Sequence, residues 1–217
     1  MVVCAALLLV TAATAQGGGG GGRQGRQGRG GFGRMANDPG SLLRRSDVQT
    51  ELKITDDEKT KLQDVQAKIQ QERQDIRDNN QGDRQAAMQE TMKKQPSWDK
   101  MVMAVLTADQ QKRLKELIVQ RSGNQIVYNA MFQDDLKLTD AQKAKFKDLQ
   151  DKGREAMMGI FQNQDMSQDE KMAAFQKNQK TIDDEIGKTL TDDQKAKLKT
   201  MAGTPFKFED NNGGGGR

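Results

Sequence analysis

The sequence predicts an all-α protein, a duplicated unit of one short helix and antiparallel long helices. A short motif that begins a helix occurs four times, and apolar residues follow each copy at helical spacing. No stretch alternates convincingly with the period of two that is typical of a strand. Because long helices joined by tight turns pack antiparallel, we expect an elongated helical bundle with coiled-coil-like hairpins.

The repeated motif is an isoleucine or leucine, a threonine, two further residues and then glutamine or glutamate. Its copies begin at Ile54, Leu106, Leu138 and Leu190, which are 52, 32 and 52 residues apart. This spacing indicates the duplication of an 84-residue unit that carries the motif twice. The threonine hydroxyl can accept a backbone N–H of the first turn, and the Gln or Glu side chain can accept the threonine N–H in return. The predicted helix N-caps are Thr55, Thr107, Thr139 and Thr191.

The composition divides the chain into five segments. An apolar run that ends in small residues predicts a signal peptide at 1–15, and therefore an exported protein, periplasmic or extracellular. Residues 16–40 are rich in Gly and Arg and are predicted to be a disordered tail. The first helical unit covers 41–122, the second covers 123–208, and 209–217 form a flexible Gly-rich tail. No segment of the predicted mature chain has the apolar length of a transmembrane span.

In the first unit, Ser41 is the candidate cap of a short helix, and the long helix after Thr55 ends at 79–82. Pro96 is expected to kink the next helix or restart it at Ser97. The helix after Thr107 stops at 122–124. The second unit repeats this order, with a short helix at 126–136, long helices after 139 and at about 167–188, and a last helix after 191.

The residue types argue against an enzyme. The chain contains no histidine, which removes Ser-His-Asp and Cys-His sites and His-based zinc or copper centres. Consecutive carboxylates on a helix point in different directions and make poor metal clamps or acid–base pairs. The net charge of +4 comes entirely from Arg23, Arg26, Arg29 and Arg34, so the folded part has no bias towards nucleic acid. We therefore assign no catalytic residue, cofactor or metal ligand.

Methionine is the one residue type in excess, with 12 in the chain. Its flexible thioether side chain is favoured on surfaces that bind varied partners, but it also fills gaps in a thin helical core. A thioether Cu(I) site is a third interpretation. The candidate client-binding residues are Met88, Met92, Met157, Met158, Met172 and Phe175.

The motif resembles that of the LTxxQ family of exported bacterial stress proteins, which includes Spy-type periplasmic chaperones and zinc-resistance-associated proteins. Leu106-Thr107/Gln110, Leu138-Thr139/Gln142 and Leu190-Thr191/Gln194 match it, and Ile54-Thr55/Glu58 is a variant. The short segments at 136–139 and 203–208 are similar to segments of large secreted proteins of planctomycete type that contain the same motif. Spy-type chaperones carry two copies per subunit and form a cradle-shaped dimer, so the resemblance leaves open a homo-oligomer or an intramolecular pseudo-dimer. The zinc-binding branch uses His and Cys ligands, and the predicted mature chain contains neither residue type.

The resemblance implies an exported, ATP-independent chaperone-like or envelope-stress protein that holds unfolded or partly folded proteins on an apolar, Met-containing face. One alternative is a structural or interaction protein of the cell envelope, with its Gly-rich arms as tethers. Another is a stress-related protein that binds copper, zinc or calcium.

Overall fold

The computed structural model describes residues 37–209, and the prediction of an all-α protein is confirmed there. The predicted signal peptide, the predicted tail up to residue 36 and residues 210–217 lie outside the described residues. The helices in chain order are α1 (Pro39–Leu42), α2 (Ser46–Glu51), α3 (Asp56–Asn79), α4 (Arg84–Met103), α5 (Ala108–Ser122), a 3-10 helix (Gly123–Tyr128), α6 (Ala130–Gln133), α7 (Asp140–Gln162), α8 (Gln168–Thr189) and α9 (Asp192–Met201).

The helices α3, α5, α7 and α9 each begin directly after a threonine of the repeated motif. In all four, the threonine hydroxyl accepts the backbone N–H of the third helical residue, and the side chain of that residue accepts the threonine N–H. The N-cap threonines are Thr55, Thr107, Thr139 and Thr191. Ser167 and Glu170 form a fifth capping box of the same kind at the start of α8.

Two details of the first unit differ from the sequence-based expectation. The first short helix is two helices, and Asp38 rather than Ser41 is the N-cap of α1. The carboxylate of Asp38 accepts both the N–H and the hydroxyl of Ser41, at 2.9 and 2.7 Å, and Pro39 occupies the first turn, where proline is well tolerated. Helix α4 also continues through Pro96 without restarting at Ser97. The two turns that follow Pro96 carry the buried side chains of Trp98 and Val102, whose packing holds the helix in place.

The core lies where the short helices and α5 meet two antiparallel hairpins, α3–α4 and α7–α8, and it continues along α3 as far as Ile76. Helix α5 contributes Leu114, Leu117 and Ile118, all fully buried. The apolar residue that precedes each capping threonine is also buried, which accounts for its place in the motif: these residues are Ile54, Leu106, Leu138 and Leu190.

The hairpin arms extend beyond this core. Helix α8 has 22 residues, of which only Ile186 is buried, and α7 buries Phe146, Gly153 and Met157 among its 23 residues. Most of the second hairpin is therefore exposed to solvent, and Met157 is the one large apolar side chain buried in its outer half. Such regions are the ones expected to open locally most easily.

The two units repeat each other in backbone detail. Lys53 and Lys137, 84 residues apart, both adopt the left-handed conformation, with φ of 51° and 50°. In both units the amide of the next residue closes the turn on the carbonyl five residues earlier, at 3.0 and 3.1 Å. Non-glycine residues rarely adopt this conformation, so its occurrence at both positions reflects a shared local fold.

Contacts between the units involve α5, its counterpart α9, and the segment at 202–209. The carboxamide of Gln120 donates to the Thr204 carbonyl at 2.7 Å and accepts the Phe206 N–H at 2.9 Å. The Phe208 ring lies 5.6 Å from the Arg45 guanidinium and 5.3 Å from that of Arg121. The end of the second unit is thereby bound to the first.

Candidate functional site

The hairpins are fixed at their bases by contacts between capping residues. In the first unit, Gln110 Nε2 donates to Glu58 Oε2 at 3.0 Å and to the Leu52 carbonyl at 3.2 Å. In the second unit, Gln194 Nε2 donates to Gln142 Oε1 at 2.9 Å and to the carbonyl of Leu136 at 3.3 Å. Each motif pair thus joins the first turns of two helices, which sets the direction in which the hairpin leaves the core.

In the first hairpin, one aromatic side chain and its polar partners join the two helices. Trp98 is 1% exposed, and its Nε1–H donates to Glu72 Oε2 at 2.9 Å. The guanidinium of Arg73 lies 4.8 Å from the Trp98 ring, a cation–π contact in a partly desolvated position. Both α3 and α4 contribute to this cluster, which therefore joins the two helices.

The second hairpin uses a close approach of its two helices at the same place. Gly153 and Ile182 occupy the positions of Ile69 and Trp98 in the repeat. The Ile182 side chain fills the space where a Cβ of residue 153 would lie, and Asn178 Nδ2 donates to the Gly153 carbonyl at 3.2 Å. The glycine therefore allows α7 and α8 to pack closely.

Four of the six predicted binding residues are exposed on these hairpins. Met88 and Met92 lie one turn apart on α4, and they are 40% and 37% exposed. Met158 on α7 is 48% exposed, and Met172 on α8 is 58% exposed. Phe175 is half-buried.

Met157 is a correction to the predicted set, because its side chain is only 4% exposed. It neighbours Met158 along α7, and adjacent helical residues point about 100° apart, so one of the pair faces α8 while the other faces solvent. Met157 therefore helps to hold the hairpin together and is unavailable to a partner in this conformation.

Phe161 belongs to the exposed surface but is missing from the predicted set. At 63% exposed, it is the most exposed of the five large hydrophobic side chains that stand out at the surface of residues 37–209. The repeat itself holds a signal for it, since Arg77 occupies the corresponding position in the first unit. A position that accepts arginine in one copy is expected to face solvent in the other.

The antiparallel register brings some of these side chains to one level of the second hairpin. The contact of Asn178 with Gly153 places Met172 opposite the turn of α7 that carries Met158 and Phe161. Met88 is the counterpart of Met172 in the repeat, so both hairpins present a methionine at the same position of the returning helix. The exposed apolar residues are therefore divided between two hairpins.

A buried polar cluster lies beside Trp98 and is absent from the predicted set. Asp99 is 8% exposed, and burial raises its pKa to about 6, with a further contribution from the charge of Asp38. Gln95 Nε2 donates to Asp99 Oδ1 at 2.8 Å. This hydrogen bond and the positive charge of Arg73 lower the pKa of Asp99 and partly offset the effect of burial. Desolvation lowers the pKa of Arg73, whose buried Nε atom has no hydrogen-bond partner. The cluster offers a titratable carboxyl with no nucleophile beside it.

Two further features bear on the class of the protein. Within residues 37–209, no group of three or more Cys, Asp and Glu side chains is placed to hold a metal ion. None of the helices described combines the length and apolar content that crossing a membrane requires.

The fold and this surface define an all-α protein of two repeated helical units, each with a hairpin that carries exposed methionine. A comparison with protein-family models, curated proteins and solved structures finds no match to this chain.

Proposed function

We propose that the chain is an exported protein of the LTxxQ type, a chaperone-like protein that holds partly unfolded polypeptides without ATP. One observation carries this proposal. The large hydrophobic side chains that stand exposed within residues 37–209 all lie on the hairpin helices α4, α7 and α8, and they are Met88, Met92, Met158, Phe161 and Met172. Exposed apolar side chains on otherwise charged helices favour contact with the apolar segments of another polypeptide.

Methionine suits weak and varied binding. Its unbranched side chain adapts to partners of different shape, and the sulfur makes favourable contacts with aromatic rings. The outer half of the second hairpin buries few side chains, so a client can be accommodated there without breaking the core. Such a surface binds many unfolded segments and releases them again.

We further propose that the two units form an intramolecular pseudo-dimer. The packing of α5 against its counterpart α9 and the bonds of Gln120 to the segment at 202–209 support this arrangement. Size-exclusion chromatography with light scattering tests it, because the proposal expects a monomeric mass. An obligate dimer formed by exchange of units would contradict it.

An aggregation assay tests the chaperone proposal. The full chain at stoichiometric concentration is expected to suppress light scattering by a chemically unfolded client. The variant M88Q/M92Q/M158Q/F161Q/M172Q should lose most of this effect, because its hairpins lack the exposed apolar side chains. The control Q70A/K94A/Q176A changes exposed polar residues of the same hairpins and should retain suppression. Equal suppression by both variants, or none by the unaltered chain, would refute the proposal.

A further inference from the structure

We propose that the outer end of the second hairpin binds positively charged, apolar-containing stretches of unfolded polypeptide. We call this surface the second-hairpin tip. It consists of exposed apolar residues surrounded by carboxylates, and its members are Met158, Phe161, Met172, Glu155, Asp165 and Asp169. The inference rests on the proposed function and adds the charge of the client to it.

The apolar part of the tip is the more exposed of the two hairpin surfaces. Phe161 and Met172 are 63% and 58% exposed, against 40% and 37% for the methionines of the first hairpin. An aromatic ring supplies a large contact area at a small cost in conformational entropy, because it has only two side-chain torsions. A client segment with apolar side chains therefore gains most by contact at this end.

The charge of the tip is predominantly negative. Residues 155–172 contain four acidic residues and a single basic residue, Lys171. Closer to the core on α7, by contrast, carboxylates are neutralised by Lys147–Asp151 and Lys152–Asp148 pairs at 2.6 and 2.8 Å. No ion pair within residues 37–209 involves any of the four acidic residues of this stretch.

The first hairpin shows that this charge is specific to the second. In the corresponding stretch, 71–88, three arginines stand among four acidic residues. Gln74 and Arg77 occupy the positions of Met158 and Phe161. The duplicated units thus differ in chemistry at this end, where the second is more apolar and carries fewer basic residues.

These properties favour a cationic polypeptide over an acidic polypeptide or an anionic lipid surface as the partner. Uncompensated carboxylates around an apolar patch attract lysine and arginine side chains, raise the rate of association and repel acidic segments. They also repel anionic lipid surfaces. An extended segment can place apolar side chains on Phe161 and Met172 while its basic side chains reach the carboxylates around them.

Fluorescence anisotropy with two labelled peptides of equal Leu and Phe content tests the inference on the full chain. One peptide carries four lysines and the other carries four glutamates at the same positions. At low salt we expect the lysine peptide to bind about tenfold more tightly than the glutamate peptide, because a few exposed ion pairs contribute about that much to affinity. The difference in affinity should shrink at high salt. Equal affinity, or tighter binding of the glutamate peptide, would overturn the inference.

Two variants separate the charge from the apolar contact. E155Q/D165N/D169N keeps Glu170, which closes the capping box of α8, and should abolish the preference while both peptides still bind. M158Q/F161Q should weaken both peptides, and circular dichroism melts verify that each variant folds. If the first variant keeps the preference, the tip does not select charge.

The outcome also distinguishes this inference from the proposed function. A chain that suppresses client aggregation but binds the two peptides equally retains the chaperone function and loses only the charge selectivity. A chain that suppresses no aggregation and binds neither peptide contradicts both.

Discussion

The side-chain amides of Gln142 and Gln194 donate to each other. Gln142 Nε2 lies 2.8 Å from Gln194 Oε1, and Gln194 Nε2 lies 2.9 Å from Gln142 Oε1. Each oxygen also accepts the N–H of its own capping threonine, Thr139 or Thr191, at 3.1 and 3.0 Å. Glutamine suits this position because its amide oxygen can accept the N–H of the capping threonine while its NH₂ group donates to the other glutamine.

This relationship predicts how charge is tolerated at the motif. In the first unit the partner of Gln110 is Glu58, which can only accept. Q142E alone reproduces that arrangement, and we expect it to cost less than about 1 kcal/mol of unfolding free energy. Q194E should cost more, because it also removes the donor to the Leu136 carbonyl and buries a carboxylate beside that oxygen. Q142E/Q194E places two carboxylates in contact and should cost at least about 2 kcal/mol beyond the sum at pH 7.

Urea denaturation of the unaltered chain, Q142E, Q194E and the double variant measures the coupling free energy between the two positions. The additional cost should decline on acidification, since protonation of one carboxyl restores a donor. Additive effects at pH 7 would show that the paired capping residues do not contact each other in solution.

Asp99 predicts a pH dependence of stability. Its folded pKa of about 6 lies above the unfolded value of about 3.9, so the folded state binds more protons between those values. Its contribution to stability is therefore greatest below about pH 4, falls as the pH rises to about 6 and is constant above it. The amount lost is on the order of 3 kcal/mol.

The variant D99N isolates this group from other carboxyls. Asparagine retains the size of the side chain and does not titrate, so D99N should gain on the unaltered chain by up to about 3 kcal/mol between pH 4 and pH 7. Urea midpoints at several pH values measure the difference. A difference that is the same at every pH would mean that Asp99 titrates normally in the folded protein.

The two glycines of α7 are expected to respond oppositely to alanine. At Gly159 a Cβ meets no atom within 4 Å, so G159A should stabilise the protein by about 1 kcal/mol through helix propensity. At Gly153 the Cβ collides with the Ile182 side chain, so G153A should destabilise it by about 1 kcal/mol. Ile182→Val, which removes the colliding methyl group, should relieve that cost. Thermal or urea unfolding decides it, and equal gains from both alanine variants would contradict the close packing.

The helix starts could be predicted from the sequence because capping is local: a threonine and a residue three positions later contain the whole interaction. The pairing of Gln142 with Gln194 could not, since it joins residues 52 apart and depends on how the helices fold back. The same limit explains Met157. Periodicity identifies a pair of neighbouring methionines, but only the partner helix decides which of them is buried.

Which apolar residues lie on the exposed surface was also difficult to predict from the sequence. Phe161 follows Ile160 and looks like part of one apolar stripe, although neighbouring residues cannot both face α8. The continuation of α4 through Pro96 likewise depends on tertiary contacts, because the buried side chains that follow the proline outweigh its local effect.

The most direct test of client holding is site-specific photo-crosslinking to a chemically unfolded client. A photoreactive residue at Met92 or Phe161 reports on the hairpins, and one at Lys197, an exposed position on α9, serves as the control. We expect client adducts from both hairpin positions, few from Lys197, and loss of the adducts when the client is native. Equal labelling from Lys197, or no adducts from either hairpin, would contradict it.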